Sequence, residues 1–240
     1  MNTAMILCAG FGTRLGELTK NTPKPMLLIN KKPLLEYTIR HLSGFGIINI
    51  IINLHYLADK ITNYFGNGSN FGVKINYIYE KQPLGTAGAV KNAQKFLKGK
   101  EDFLVLYGDI VCNEDYSKFY NFHKSKTNAA ATIILHERAN SNSVVEIDEN
   151  NKIIRFIERP KTEIKDKKQN WVNSGLYCFN NKILDMIPES EFCDFPNDIF
   201  IDMVSCGIIY GYPLNFYRCA IDSAERYKRA KEDFAKGLIF

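Results

Sequence analysis

The sequence predicts an α/β protein built on a mostly parallel β-sheet. Short apolar runs alternate with segments of helical spacing in the first half of the chain, a rhythm typical of βαβ units. After Asp109, strand-like runs follow one another more closely, which predicts mixed or antiparallel strands. Since 45% of the 240 residues are hydrophobic, the chain can bury one large core, and we expect a single domain over residues 1–240.

Each predicted element rests on such a run. The strands predicted in the first half are Met5–Cys8, Ile48–Asn53, Ile75–Tyr79 and Phe103–Tyr107, and the helices are Leu34–Leu42, Ala58–Phe65 and Thr86–Leu97. The strands predicted in the second half are Ala130–Leu135, Val144–Ile147, Ile153–Ile157 and Trp171–Phe179. The pair Asn150-Asn151 predicts a hairpin turn, and the charged stretch Lys161–Gln169 predicts an exposed loop. A final helix is predicted from about Ser223 to Ala235, with Ser223 as its N-cap.

Charge and cysteine spacing limit the class of protein. The net charge of +5 is modest and its Lys and Arg residues are spread along the chain, which favours small anionic ligands over nucleic acid. The six cysteines form no C-x-x-C pair, so we expect reduced thiols and neither a zinc site nor a disulfide framework. No signal-peptide pattern and no apolar run near the roughly 18 residues of a membrane span is found. The expected location is therefore cytoplasmic, without membrane contact.

A glycine-rich loop follows the first predicted strand. Gly10 and Gly12 let backbone N–H groups approach an anion closely, and Arg14 adds a planar donor suited to phosphate. The loop is not a dinucleotide-binding fingerprint, because Leu15 stands where the third glycine would be. It is not a P-loop either, since no Gly-Lys-Ser/Thr follows.

Two further charged residues occupy positions suited to phosphate chemistry. Lys24 lies between Pro23 and Pro25, and we expect this frame to hold the lysine in a stiff, extended segment. Asp109 follows the strand Phe103–Tyr107 across a glycine, at the carboxyl edge of the predicted sheet, where a magnesium ligand is expected. A solvated lysine and a helix-capping aspartate are the structural alternatives for these two residues.

Taken together and in this order, several stretches resemble the signature of the sugar-1-phosphate nucleotidyltransferases. The matching stretches are 7–15 (Leu-Cys-Ala-Gly-Phe-Gly-Thr-Arg-Leu), Pro23–Met26, Lys32–Tyr37, Pro83–Ala89, Gly108-Asp109, Glu158–Pro160 and Val172–Tyr177. The resemblance implies a Rossmann-like three-layer α/β/α sandwich with a mixed, mostly parallel central sheet and an antiparallel sugar-binding extension. It also implies a nucleotide-binding half, 1–110, and a sugar-phosphate-binding half, 111–240. The most similar branches are the mannose- and heptose-1-phosphate guanylyltransferases.

The resemblance also implies a reaction and a role for individual residues. A sugar 1-phosphate attacks the α-phosphorus of a nucleoside triphosphate and releases pyrophosphate, with Mg²⁺ as cofactor, in nucleotide-sugar and surface-polysaccharide biosynthesis. The implied catalytic residues are Arg14, Lys24 and Asp109, and the implied nucleotide-binding residues are Leu7, Ala9, Gly10, Gly12, Thr13, Glu80, Gly85 and Thr86. The implied sugar-phosphate-binding residues are Glu158, Arg159, Asn173 and Gly175. The expected partners are these two substrates, and a homo-oligomer is left open.

The nucleobase is expected beside the turn that contains Gly85. The carboxylate of Glu80 only accepts hydrogen bonds, and guanine presents adjacent N–H donors on its Watson–Crick edge, which favours GTP. Gln82 is able to serve any base, so cytidylyl and uridylyl transfer remain alternatives.

The sequence departs from the family pattern in two places. Arg159 replaces the usual lysine of Glu-Lys-Pro, and the guanidinium still binds phosphate in a bidentate manner. An ungapped alignment places Ala220 where the family has a metal-binding aspartate. Either Asp222 has taken over as the second magnesium ligand beside Asp109, or that ligand is missing. Some cytidylyltransferases of the superfamily carry a similar Ile-Asp-Ser, which favours Asp222 and weakens the guanine assignment.

Two rival functions follow from these departures and from the fold class. A catalytically silent relative that binds a nucleotide or sugar phosphate and regulates a partner would explain the loss at Ala220, but not the presence of Arg14, Lys24 and Asp109 together. A nucleotide-sugar-dependent glycosyltransferase would require Asp-x-Asp after a strand, and residue 111 is Val111. The four histidines show no metalloenzyme spacing.

Overall fold

The fold is that of a computed structural model, which describes residues 1–139, 141–160, 170–189 and 192–239. The predicted loop Lys161–Gln169 lies outside the described residues. The β-strands are β1 (Thr3–Leu7), β2 (Leu28–Ile29), β3 (Lys32–Pro33), β4 (Asn49–Leu54), β5 (Lys74–Tyr79), β6 (Asp102–Tyr107), β7 (Ile110–Cys112), β8 (Ala131–Arg138), β9 (Val144–Ile147), β10 (Ile153–Ile157), β11 (Asn170–Asn180), β12 (Ile209–Pro213) and β13 (Arg218–Ala220).

Helices and short helical turns connect these strands. The α-helices are α1 (Glu17–Lys20), α2 (Leu34–Gly44), α3 (Ala58–Phe65), α4 (Gly85–Asn92), α5 (Gln94–Leu97), α6 (Tyr116–Ser125), α7 (Ile183–Met186), α8 (Phe200–Ser205) and α9 (Ala224–Ala235). The 3-10 turns are Thr13–Leu15, Lys24–Met26 and Ser69–Phe71, and a π-helical turn spans Phe195–Ile199.

The chain forms two compact units from interleaved segments. The first unit contains Met1–Pro83, Leu106–Tyr116 and Asn215–Phe240, and the second contains Leu84–Val105 and Ser117–Leu214. Strand β6 begins in the second unit and ends in the first, so neither unit is a contiguous half of the chain. The expectation of a single domain with halves 1–110 and 111–240 stays a prediction.

Parallel strands with buried apolar side chains form the frame of the first unit. Strand β1 pairs with β4 in parallel register, and β4 pairs with β5 in the same way. The short strands β7 and β13 pair antiparallel. A second set of buried side chains beside these strands forms one apolar cluster, and its members include Leu15, Leu34, Val111 and Ile221. Leu15 therefore attaches the glycine-rich segment to the core.

The second unit contains the antiparallel part of the fold. Strands β8 and β11 pair antiparallel, as do β9 and β10, whereas β12 runs parallel to β8. Four buried aromatic rings pack together in its core, with centroids 4.6 to 6.3 Å apart. These rings belong to Tyr177, Phe179, Phe195 and Phe200.

The mixed, mostly parallel sheet confirms the predicted α/β fold class. Helix Ala58–Phe65 and strands Val144–Ile147 and Ile153–Ile157 have the predicted bounds, and Asn151 takes a left-handed turn conformation at φ 63° in the hairpin. Ser223 is confirmed as an N-cap, because its hydroxyl accepts a hydrogen bond from the backbone N–H of Arg226. The prediction of one helix over Thr86–Leu97 was wrong, because this segment forms two helices, α4 and α5, which are separated at Ala93.

The cysteine thiols are mostly buried, and their reduced state stays a prediction. All six cysteines are unpaired, and Cys206 is the exposed one. Burial raises the pKa of the Cys8 thiol far above its ordinary value, which keeps it protonated. In the part of the chain that the structure describes, no helix is both long and apolar enough to cross a membrane.

Candidate active site

The glycine-rich loop is folded tightly onto the segment that follows it. Gly12 has a left-handed backbone at φ 69°, and the buried hydroxyl of Thr19 donates to the carbonyl of Gly12 at 3.0 Å. A Cβ at Gly12 would meet the Thr19 methyl at 3.2 Å, so both conformation and packing favour glycine there. The loop is therefore held in shape by its own backbone and by Thr19.

Other loop residues point into open space. A Cβ added to Gly10 would contact no described atom within 4 Å. Arg14 is exposed and forms no ion pair with the residues that the structure describes. Because neither position is occupied by protein packing, this side of the loop is open, and its binding of an anion stays a prediction.

A chain of hydrogen bonds fixes the end of the strand that leads into this loop. Asn53 accepts from the backbone N–H of Cys8 at 2.9 Å through its side-chain oxygen, and its amide donates to Glu80 Oε1 at 2.8 Å. Glu80 is buried at 6% exposure. The carboxylate expected to face a nucleobase therefore also ties together the ends of β1, β4 and β5, and its contact with a base stays a prediction.

Lys24 and Asp109 meet although they lie far apart in the sequence. Lys24 Nζ is 2.8 Å from Asp109 Oδ2, and the two side chains are 11% and 23% exposed. Partial burial reduces solvent screening of this ion pair while leaving it accessible to ligand. The prediction of an extended segment was wrong in part: Pro23 is extended at ψ 145°, but Lys24–Met26 forms a 3-10 turn.

The close approach of the chain at Gly108 places Asp109. The backbone N–H of Gly108 donates to the carbonyl of Leu7 at 2.9 Å, and a Cβ at Gly108 would lie only 2.5 Å from Cys8 Sγ. Only glycine fits there without displacing the first strand. Packing therefore requires glycine at position 108. Asp109, the next residue, lies just beyond the end of β6.

Asp222 lies close to Asp109 in the fold of the first unit. Strand β13 pairs Ala220 with Ile110, and the backbone N–H of Ile221 donates to the carbonyl of Asp109 at 2.8 Å. Asp222 follows Ile221 directly, and its Oδ2 forms an ion pair with Arg226 at 3.1 Å. Since Ser223 supplies the helix cap, Asp222 is not needed for that purpose.

Arg218 is a half-buried cation that the sequence did not single out. Burial lowers the pKa of its guanidinium, and the nearby Cys112 and Asp109 oppose that shift. This half-buried guanidinium interacts electrostatically with Asp109, the same carboxylate that pairs with Lys24. No local pattern marks this arginine, because its neighbourhood depends on the pairing of β13 with β7.

In the second unit, Gly85 and Thr86 are packed against a distant segment. Gly85 has φ 76°, and a Cβ there would lie 2.5 Å from the carbonyl oxygen of Cys193. Asp194 Oδ1 accepts from both the backbone N–H and the hydroxyl of Thr86, at 2.9 and 3.0 Å. The first turn of α4 is therefore capped by this segment, and the predicted nucleobase contacts of Gly85 and Thr86 remain predictions.

Asn173 and Gly175 occupy an irregular part of β11. The register against β8 shifts between Asn173 and Tyr177, and Gly175 takes φ 74° there. Asn173 accepts from the N–H of Gly175 and donates to the Tyr177 hydroxyl, both at 2.9 Å. The amide therefore stabilises a β-bulge, a feature that often redirects side chains near binding sites.

Glu158 and Arg159 lie next to each other at the end of β10. Arg159 Nε is 3.3 Å from Glu158 Oε1, and Arg159 takes a left-handed φ of 45°. Burial raises the pKa of the Glu158 carboxyl, while Arg159, the Ser143 hydroxyl and Arg138 oppose the shift. The four predicted sugar-phosphate residues all belong to the second unit, whereas Arg14, Lys24, Glu80, Asp109 and Asp222 belong to the first.

The fold and the loop together define an α/β protein with a glycine-rich loop after its first strand and an ion pair between Lys24 and Asp109 in the same unit. The chain belongs to the nucleotidyl transferase family, whose model matches residues 3–210. The match ends before Ala220 and Asp222, the region where the sequence departs from the expected pattern.

Named relatives differ in the base that they transfer. The chain is 35% identical over 242 residues to a UTP–glucose-1-phosphate uridylyltransferase of Synechocystis, with 95% of this chain covered. It is 29% identical over 238 residues to a mannose-1-phosphate guanylyltransferase of Mycobacterium tuberculosis, with 98% covered. The chain spans 62% and 65% of the length of these two relatives. The crystal structure of HddC from Yersinia pseudotuberculosis complexed with GMP-PN is 30% identical, with a TM-score of 0.81, and the alignment covers 98% of this chain and 100% of that one.

Proposed function

We propose that the protein is a sugar-1-phosphate nucleotidyltransferase. The observation that carries the proposal is the ion pair between Lys24 and Asp109, 2.8 Å apart beside a glycine loop whose Arg14 is exposed. Joining two polyanions requires concentrated positive charge and a position for a divalent metal, and these residues supply both. The pair supports catalysis over simple binding, since a binding protein has no need for a carboxylate beside phosphate.

The residues of the first unit have distinct parts in the proposed reaction. A phosphate oxygen of the sugar 1-phosphate forms a bond to the α-phosphorus, the bond from that phosphorus to the bridging oxygen breaks, and pyrophosphate leaves. Backbone N–H groups of the glycine loop and Arg14 bind the triphosphate, with Arg14 on the departing phosphates. Lys24 contacts the α-phosphate and the incoming phosphate, where charge accumulates in the transition state.

The donor set near Lys24 fits Mg²⁺. Among the described residues, Asp109 and Asp222 each use one carboxylate oxygen in an ion pair, and Oδ1 of each makes no hydrogen bond. Mg²⁺ takes one or two carboxylates and completes its shell with phosphates and water, so these two free oxygens are sufficient protein ligands. When bound, Mg²⁺ would neutralise charge on the phosphates.

GTP is the favoured donor. The support comes from the carboxylate of Glu80, the acceptor that guanine would require, and from the GMP-PN bound to the similar HddC. The uridylyltransferase among the relatives keeps UTP as the alternative, and the Ile-Asp-Ser at 221–223 keeps CTP as another. For the acceptor, a hexose or heptose 1-phosphate is proposed to bind Glu158, Arg159, Asn173 and Gly175.

A substrate matrix tests this function. Purified protein is incubated with each of GTP, UTP, CTP and dTTP against mannose, glucose and heptose 1-phosphates, with Mg²⁺ and pyrophosphate release as readout. We expect release only when both substrates are present, with GTP the best donor. Another triphosphate preferred by about tenfold or more would overturn the base assignment and leave the reaction class in place. Binding without turnover in any combination would instead identify a silent regulatory relative.

The protein is proposed to act in the cytoplasm, in nucleotide-sugar and surface-polysaccharide biosynthesis.

A further inference from the structure

The second unit contains a cavity that none of the proposed catalytic or substrate-binding residues lines. Its volume is about 740 Å³, which suits a ligand of the size of a sugar phosphate. The cavity opens where β6 and β8 begin, beside the end of α6. Its wall contains three lysines, Lys124, Lys126 and Lys182.

The charge of Lys124 is already neutralised at the floor of the cavity. Its ammonium contacts Glu101 and lies 3.3 Å from Asp102 Oδ2, and Asp102 is nearly fully buried. Burial alone would raise the pKa of Asp102, but hydrogen bonds from His123 and Asn180 and the charges of His123 and Lys124 hold the pKa well below its usual range. Asp102 is therefore ionised. The positive charge of Lys124 is compensated by the carboxylates of Glu101 and Asp102 and is not available to a ligand.

Lys126 is held in place by contacts that do not compensate its positive charge. Its ammonium donates to the carbonyl of Asn150 at 2.8 Å and lies 4.5 Å from the centre of the Phe122 ring and 5.8 Å from that of Tyr210. Within the described residues it forms no ion pair with a carboxylate. A cation fixed on several sides without a counter-charge is preorganised to bind an anion, because little side-chain freedom remains to be lost.

The rest of the wall has complementary groups available. The exposed Lys182 forms no ion pair within the described residues, and the side chains of Asn128 and Asp185 make no hydrogen bond there. Asn128 also takes a left-handed φ of 57°, and Met186 and Ile208 supply an apolar surface. Two uncompensated ammonium groups suit a phosphate, and an amide and a carboxylate suit hydroxyl groups.

From this wall we propose that the cavity is a second ligand site, which binds a small phosphate monoester carrying hydroxyl groups. Lys126 and Lys182 bind the phosphate, and Asn128 and Asp185 bind hydroxyl groups. The site is independent of the proposed transferase activity, since its residues take no part in that chemistry.

Methionine methyl resonances report on this site separately from the catalytic loop. With ¹³C-methyl methionine, Met186 reports on the cavity, Met26 on the Lys24 turn, and the fully buried Met5 and Met203 on the folded cores. The Met186 signal is assigned with Met186→Leu. The probe is glucose 6-phosphate, whose phosphate is not on the anomeric carbon, compared with glucose and with inorganic phosphate.

Glucose 6-phosphate is expected to shift the Met186 signal to saturation, whereas glucose and inorganic phosphate at equal concentration shift it far less. In the double variant Lys126→Gln with Lys182→Gln, the apparent Kd is expected to rise at least about tenfold. The control carries Lys95→Gln and Lys98→Gln, two exposed lysines of the same unit outside the cavity, and should titrate like wild type. Unchanged Met5 and Met203 signals establish that each variant is folded.

Three results would overturn the site. The first is no Met186 shift up to about 10 mM probe. The second is an equal response to glucose or to inorganic phosphate. The third is a folded Lys126→Gln, Lys182→Gln variant that binds as wild type does, which would leave Lys126 with only the role of a cation beside the C-terminal end of α6.

Discussion

The two regions that contain the predicted site residues are connected in opposite ways. Around the glycine loop, contacts join residues distant in sequence: Lys24 and Asp109 are 85 positions apart, and Cys8 and Asn53 are 45 apart. At the β11 bulge, the hydrogen bonds of the predicted residue Asn173 are local, because they reach residues only two and four positions away. A local hydrogen bond determines the conformation of its own strand. A bond between distant residues joins elements whose conformations are already stabilised by other contacts. We therefore expect substitutions in the loop region to affect turnover, and those in the bulge region to affect stability.

The largest expected effect is that of Asp109→Asn. Removing the charge while keeping the shape should reduce turnover by more than about 10³-fold and raise the magnesium concentration for half-maximal rate, since Asp109 is the proposed ligand that contacts Lys24. The melting temperature should change little. The control is Asp59→Asn, an exposed aspartate on α3, and an equal loss of turnover in the control would contradict the assignment.

Lys24→Ala should reduce turnover by roughly 10²–10³, as expected when one preorganised charge of about 3–4 kcal/mol is removed from a transition state. Single-turnover rates and thermal melting are measured together with Lys20→Ala, whose lysine is exposed and pairs with Glu17 at the surface. If Lys24→Ala keeps more than a third of wild-type activity, Lys24 has no part in the chemistry.

Asp222 and its neighbour Ser223 form a matched pair. Asp222→Asn should raise the magnesium requirement and reduce turnover by about tenfold, with little change in stability. Ser223→Ala removes the N-cap of α9 and should cost about 1 kcal/mol of stability without changing the magnesium response. A magnesium titration of Asp222→Asn that superimposes on wild type would leave Asp109 as the one carboxylate ligand.

Two glycines distinguish the regions most directly. Gly175→Ala should cost about 1–2 kcal/mol in the free energy of unfolding, because an alanine at φ 74° is strained. Gly10→Ala meets open space and has no positive φ, so it should change stability by less than about 0.5 kcal/mol while lowering affinity for the triphosphate. Chemical denaturation and nucleotide titration of both variants check this contrast, and equal destabilisation would remove the distinction between the regions.

The smallest expected effect concerns Glu158. Burial raises the pKa of this carboxyl above its ordinary 4.5, so the folded state favours the protonated form. The contribution of the protonated carboxyl to the free energy of unfolding is fully present below the pKa of the unfolded state and is lost as the pH rises through the pKa of the folded state. At neutral pH, the ionised carboxylate therefore destabilises the folded state. Glu158→Gln should therefore raise the melting temperature slightly at pH 7, and not below pH 4.5. An equal rise at both values would point to another cause.

Apolar patterning predicted the longer core strands and the helices α2, α3 and α9, because that signal is local. It did not predict the strands β2, β3, β7, β12 and β13 or the helices α1, α6, α7 and α8. The hairpin at Asn151 and the cap at Ser223 were also found, since turn and cap chemistry depend on a few adjacent residues. The division of the helix at Ala93 was missed, because no glycine or proline marks it.

The site could be predicted only in part for the same reason. Gly10, Arg14 and Asp109 lie in short segments that follow strands and carry a local signal. The pairing of Lys24 with Asp109 could not be predicted, because the two residues are 85 positions apart. Asn53 was predicted only as the end of a strand and was given no part in the site, although a polar residue ending a strand is a usable signal. Asp194 reaches Thr86 across 108 positions, and Arg218 reaches the Asp109 region through strand pairing, so neither was detectable from neighbours in sequence.

The distribution of thiols makes the protein convenient for single-site labelling. Because Cys206 is exposed and the other five cysteines are buried, a maleimide dye should attach at one position after α8 without mutagenesis. The dye would lie in the second unit, on a residue assigned to neither proposed ligand site. Fluorescence anisotropy or surface immobilisation through that thiol would then allow titrations with nucleotides and sugar phosphates on the otherwise unmodified chain.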